Sequence, residues 1–226
     1  MNLEAIWEAL PSFLEGLQVT AILLLASLAI GLVAAVPLAL ARRSPRPWLS
    51  RPVWLFTYVI RGTPMLVQLF LIYYGLAQFE AVRESVAWPW LSSAWFCAIA
   101  AFALNTCAYT TEILAGSIEA TPAGEVEAAR ALGMGTATVM RRILLPSALR
   151  RAIPAYSNEA IMMLQGTSLA SIVTLLDLTG AAREMNSRTY LPFEAFITAA
   201  VFYLALTFAL VALFHRAERR WLAHQR

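Results

Sequence analysis

An all-α membrane protein is predicted by three features of this chain: its apolar composition, five stretches long enough to cross a bilayer, and a lopsided distribution of arginines. Of the 226 residues, 60% are hydrophobic and 14% charged, against about 25% charged in ordinary soluble domains. The apolar stretches fall at about 17–41, 53–79, 92–115, 155–178 and 194–214. Each approaches or exceeds the ~20 residues that carry a helix through the hydrocarbon core. With no internal repeat or low-complexity linker in view, a single domain over residues 1–226 is expected.

Before the first span, residues 1–16 hold Glu4, Glu8 and Glu15 and no basic residue. A signal peptide opens with positive charge, so the first span is expected to be retained. The loop after it carries Arg42, Arg43, Arg46 and Arg51. The loop after the third span carries Arg130, Arg141, Arg142, Arg150 and Arg151, and the tail carries Arg216, Arg219, Arg220 and Arg226. Thirteen arginines thus share one side, against Arg83, Arg183 and Arg188 on the other, with Arg61 inside a span. Basic loops stay cytoplasmic, which predicts a periplasmic N-terminus and a cytoplasmic C-terminus. The tail cluster Arg216–Arg220 with Trp221 reads as an anchor at the interface with anionic lipid.

Several chemistries are disfavoured. All 17 basic residues are arginine, so no phosphate-binding loop ending in Gly-Lys-[Ser/Thr] can form. Any coupled ATP hydrolysis must lie on another polypeptide. Cys97 and Cys107 fall in one apolar span ~15 Å apart along a helix axis, too far to bridge. His215 and His224 lack further ligands at metal spacing, and no Ser/His/Asp cluster stands out.

The segment 116–153 is a polar loop on the predicted cytoplasmic side. It reads Glu127-Ala128-Ala129, three residues, Gly133, nine residues, then Ile143-Leu144-Leu145-Pro146, with Glu125 just ahead. Glu127–Leu132 can form a short amphipathic helix. Gly133 sits where a left-handed turn would end it, and Pro146 would mark the next break. So long a polar loop between spans points to a docking role.

This spacing resembles the EAA loop of ABC-importer permeases, whose short helix fits a groove on a separate ATPase subunit. Further stretches point the same way: Trp54-Leu55-Phe56-Thr57-Tyr58, Arg61-Gly62-Thr63-Pro64, Leu104 through Ile113, Leu145 through Arg150, Pro154 through Glu159, and Arg216 through Leu222. Over about residues 17–222 the chain resembles a polar-amino-acid ABC permease. Within that family it is similar to the M-type subunits of histidine/lysine/arginine/ornithine, arginine and octopine uptake systems. The resemblance implies a type I ABC importer transmembrane fold with five helices, in a multi-pass protein of the bacterial inner membrane. It implies a homologous Q-type permease as heterodimer partner, a dimer of ATP-binding subunits and a periplasmic amino-acid-binding protein. ATP and Mg would then sit on the ATPase, with no cofactor on this chain and no nucleic-acid partner. Glu125, Glu127, Ala128, Ala129, Gly133 and Pro146 would carry the coupling. Many relatives have arginine at the position of Ala115 and a Lys-Asp pair at Gln165-Gly166, so substrate contacts do not transfer directly.

Ionisable groups within spans cost at least ~2.5 kcal/mol each and need partners or water. Asn105, Tyr109 and Glu112 follow an i, i+4, i+7 pattern, as do Glu159, Met163, Gly166, Ala170, Thr174 and Asp177. On one continuous helix Glu159 and Asp177 would stand ~27 Å apart, nearly the depth of the membrane. Asn105, Tyr109, Glu112, Glu159 and Asp177 are therefore candidates for a cation pathway. The alternative is structural, with Glu112 or Glu159 locked to Arg61; both acids also occur in relatives that move uncharged amino acids. Arg61, Gly62, Thr63 and Pro64, and likewise Gly166, Thr167 and Ser168, predict helix kinks or a gate. The function expected is import of basic amino acids. The rivals are an importer of glutamine or another uncharged amino acid, and, more remotely, an ion-coupled carrier.

Overall fold

A computed structural model describes residues 2–221; Met1 and residues 222–226, which include Leu222, His224 and Arg226, lie outside the described residues. The described residues form helices and connecting turns, with no strand among them. Three helices are long and apolar enough to cross a membrane: α1 (Leu3–Arg42), α6 (Ala94–Glu119) and α11 (Pro192–Trp221). Two bent pairs complete a possible five. α1 begins where Asn2 accepts a hydrogen bond from the Ala5 amide at 3.3 Å, and it absorbs Pro11 and Pro37 without a break.

The expected second span, 53–79, is not one helix. α2 (Pro47–Gly62) and α3 (Met65–Phe70, continued by a π-helical turn Leu71–Gly75 and a 3-10 turn Leu76–Gln78) meet at 103°. Thr63 and Pro64 are both extended, at φ −115°, ψ 142° and φ −61°, ψ 134°. Proline crowds the residue before it out of the helical region, so the chain turns instead of kinking. Two single turns, α4 (Glu80–Arg83) and α5 (Trp88–Leu91), lead into α6.

The expected loop 116–153 is largely helical. α6 runs on to Glu119, and α7 (Ala123–Ala131) follows Pro122. From α8 (Thr136–Val139) the chain stays helical through a π segment, Met140–Leu144, into α9 (Leu145–Gly166). Pro146 was expected to break the chain and does not. It sits in the first turn of α9, directly after the widened π segment, which relieves the clash and missing donor that proline brings to a regular helix.

The fourth expected span, 155–178, also differs. Gly166 keeps helical angles (φ −64°, ψ −29°), and α9 tightens into a 3-10 run, Thr167–Val173. The chain then leaves the helix at Thr174, which is left-handed at φ 69°. It resumes at 48° as α10 (Leu178–Thr189), capped by Asp177.

Packing centres on α1 against α6, with α9 closing over both. Close approach depends on small residues, as in other helix pairs in lipid: a Cβ added at Gly31 would lie 2.3 Å from Thr106 Cγ2. Leu23, Leu69, Phe102 and Leu164 fill the core between these elements. At the other end of the bundle, Phe13 stacks on Phe202 at 5.8 Å. A Cβ at Gly16 would lie 2.8 Å from the Asp177 carbonyl, so α1 seats directly on the start of α10. α11 buries little beyond Ala195 and Ala199, leaving an apolar outer face suited to lipid.

Candidate functional site

The α2–α3 break leaves backbone carbonyls without helical partners, and one side chain answers them. Gln68 Nε2 donates to the Ile60 carbonyl at 2.7 Å, to Thr63 Oγ1 at 2.8 Å and to the Thr63 carbonyl at 3.1 Å. Its own oxygen accepts from Asn105 Nδ2 at 3.1 Å, which ties the break to α6. The Thr63 hydroxyl in turn donates to the Val59 carbonyl at 3.0 Å. Sequence reasoning passed over Gln68, although an amide four residues after a proline in an apolar stretch is a usable signal for such repair.

Beside the break lies a cavity of about 360 Å³, lined by Arg61, Gly62, Thr63, Pro64, Met65, Asn105, Tyr109, Glu159, Met162 and Met163. Its size falls within the ~300–1,000 Å³ usual for small-ligand sites. Tyr109 donates to the Arg61 carbonyl at 3.4 Å, and the Arg61 guanidinium lies 5.1 Å from the Tyr109 ring centroid. Glu159 is 4% exposed and enters no ion pair among the described residues. The nearby Thr106 hydroxyl is buried without a partner in standard hydrogen-bond geometry. A carboxylate, an aromatic face, an amide and three thioethers suit a small molecule with a cationic head on an aliphatic stem.

Of the pathway candidates, Asn105, Tyr109 and Glu159 meet at this cavity; Glu112 and Asp177 do not line it. Glu112 accepts from Thr57 Oγ1 at 2.7 Å and from Arg42 Nε at 2.9 Å, binding α6 to α2 and α1. Its ion-pair partner is Arg42, and Arg61 reaches it only through its field. Asp177 is fully buried as the cap of α10: it accepts from the Gly180 amide at 2.8 Å and from the Tyr203 hydroxyl at 3.1 Å. The 3-10 run and left-handed Thr174 destroy the helical phase that would have put Asp177 on the Glu159 face.

Of the kink candidates, Arg61 through Pro64 form the cavity wall. Gly166 admits Met65: a Cβ there would lie 2.2 Å from Met65 Cε. Thr167 and Ser168 donate to the carbonyls of Leu164 and Gln165 at 2.6 and 2.7 Å, at the transition from α to 3-10 helix.

The segment expected to dock a partner is separate from the cavity. α7 carries Glu125, Glu127, Ala128 and the buried Ala129, and it ends at Gly133 with φ 76°. Glu125 contacts Arg151 at 3.5 Å and the Ser147 hydroxyl at 3.5 Å, both on α9. The same α9 bears Glu159, ~12 Å farther along its axis.

Comparisons with known proteins agree with this architecture. Residues 27–223 match the family described as binding-protein-dependent transport system inner membrane component. The histidine/lysine/arginine/ornithine transport system permease protein HisM of Salmonella typhimurium is 50% identical over 210 residues, covering 92% of this chain and 89% of HisM. The octopine transport system permease protein OccM of Rhizobium meliloti is 46% identical over 213 residues, covering 94% of this chain and 87% of OccM. A crystal structure of an amino acid ABC transporter with histidines superposes with a TM-score of 0.86 at 34% identity, over 97% of this chain and 99% of that one. The MetNI methionine ABC transporter in an inward-facing conformation shares the fold, with a TM-score of 0.78 at 18% identity over 97% and 99% of the two chains. By sequence and by fold, the chain belongs to the inner membrane components of binding-protein-dependent transport systems.

Proposed function

We propose that this chain is the permease subunit of an ATP-driven importer for basic amino acids, of the histidine/lysine/arginine/ornithine class. The observation that carries the reading is the 50% identity to HisM over 92% of the chain. The cavity supports it, since the one carboxylate in its lining, Glu159, is buried and has no ion-pair partner among the described residues. An ammonium, guanidinium or imidazolium group in a low-dielectric passage needs such a charge. The permease itself breaks no covalent bond. A periplasmic binding protein delivers the substrate, and a dimer of ATP-binding subunits holding ATP and Mg docks at α7. A homologous Q-type permease completes a heterodimeric pore. The arginine asymmetry supports five spans in a bacterial inner membrane, with the N-terminus periplasmic and α7 cytoplasmic. Each conformational state must bind these partners differently for hydrolysis to drive transport.

The test is ATP-dependent uptake by the complete complex in proteoliposomes, with its binding protein inside or outside as orientation requires. Labelled arginine, lysine, ornithine and histidine should accumulate, and glutamine should not. Glutamine uptake equal to that of arginine would overturn the substrate class.

A further inference from the structure

The cavity holds a cation of its own. Arg61 and Glu159 are the two charged residues in its lining, one at the last turn of α2 and the other on α9. Arg42, Arg43 and Arg151 are each paired elsewhere: Arg42 to Glu112, Arg43 to Glu119, Arg151 to Glu125. The Arg61 guanidinium has no ion pair or hydrogen bond among the described residues; it lies over the Tyr109 face, with Glu112 and Glu159 both within its field. Glu159 is buried and likewise lacks an ion pair. A buried carboxylate without a counter-charge is strongly unfavourable, so the field of Arg61 across the cavity is its compensation.

We propose that Arg61 is a tethered stand-in for the substrate: in the empty cavity its guanidinium occupies the cation place over Tyr109 and balances Glu159, and an incoming basic amino acid takes that place by displacing it. This rests on the basic-amino-acid reading above. The exchange is neutral in charge, because one cation leaves the neighbourhood of Glu159 as another arrives. A neutral amino acid cannot make the exchange, since displacing Arg61 would strand Glu159. Discrimination thus comes from a penalty built against the wrong substrate, as well as from contacts with the right one. The local backbone suits the movement. Arg61 ends α2 beside Gly62, where even an added Cβ would meet nothing within 4 Å, and the 103° break lets the last turn re-aim. On release, the returning guanidinium restores the balance and prevents immediate rebinding.

The test uses the assembled complex in proteoliposomes and in detergent. Arginine and glutamine uptake are compared for the wild type, Arg61→Gln, Arg61→Lys and Tyr109→Leu, and arginine binding is measured calorimetrically without binding protein. Arg61→Gln should bind arginine about tenfold more tightly, because the substrate cation no longer competes with a tethered one for the place beside Glu159, and should admit glutamine about tenfold more readily, because nothing has to be displaced. The arginine-to-glutamine ratio, set by Glu159, should change little. Arg61→Lys, which keeps the tethered charge, should stay near the wild type for both amino acids. Tyr109→Leu removes a platform used by guanidinium and substrate alike, so arginine affinity should stay within a few-fold of the wild type. Unchanged arginine affinity in Arg61→Gln would overturn the proposal. So would failure of both Arg61 variants to assemble, which would make Arg61 a structural residue. If the wild-type complex itself shows no preference for arginine, the underlying substrate reading fails, and that outcome is read before any variant.

Discussion

Arg42 at the end of α1 donates its Nε hydrogen to Glu112 on α6 at 2.9 Å, joining residues 70 apart in the sequence. Thr57 on α2 completes the cluster at 2.7 Å. The pair is partly buried, so each half depends on the other. Glu112→Gln and Arg42→Gln should each destabilise the assembled complex. A double-mutant cycle on thermal stability should give a coupling of about 1 kcal/mol. The KM for arginine should stay near wild type in whatever fraction assembles. A large KM increase with normal stability would return Glu112 to the substrate path.

Asp177 should likewise behave as a cap. Asp177→Ala removes acceptors for the Gly180 amide and the Tyr203 hydroxyl, at a cost of about 1–2 kcal/mol. Thermal unfolding in detergent should shift downward, while the arginine-to-glutamine uptake ratio is preserved.

Gln68 carries the α2–α3 break. Gln68→Leu leaves the Ile60 and Thr63 carbonyls without their side-chain donor and frees Asn105. A loss of about 1–3 kcal/mol follows from unpaired buried polar groups. Hydrogen exchange at residues 60–68 should rise selectively; uniform exchange across the chain would mean that the amide does not hold the break.

At the end of α7, Gly133 has φ 76°, a left-handed angle closed to proline. Gly133→Pro should abolish ATP-driven uptake and weaken copurification of the ATPase, while the spans remain inserted. Normal uptake and copurification would remove α7 from the docking surface.

Topology is tested by single cysteines at Ala120 and Val86 in a background lacking Cys97 and Cys107. An impermeant thiol reagent added to the periplasmic side should label position 86 and spare position 120. The reverse pattern would invert the orientation.

How far the sequence could be read depended on whether a feature was local. The end of α7 at Gly133 rests on adjacent residues, and its geometry matches the expectation. Pro64 was visible too, and the restriction it places on Thr63 was available from chemistry alone. The depth of the turn was not, because it relies on Gln68 and Asn105 meeting across two elements. Helical-face arithmetic from Glu159 to Asp177 assumed 3.6 residues per turn throughout. The 3-10 run and Thr174 violate that assumption: Gly166, Thr167 and Ser168 signalled a disturbed helix there, but not its tightening into a 3-10 run that ends in a left-handed residue. For Glu112, the face pattern identified its neighbours on α6 and could not reveal a partner on α1.

The unbroken helical run across Pro146 has a mechanical consequence. From Thr136 to Gly166 the chain forms a rod ~45 Å long. One end lies beside α7, and the cavity wall is near the other. A hinge at Pro146 would let a push from below dissipate as bending. With Pro146 absorbed by the π segment, the point of give along the rod is Pro154, inside α9 between Arg151 and Glu159, where a missing amide donor weakens the helix.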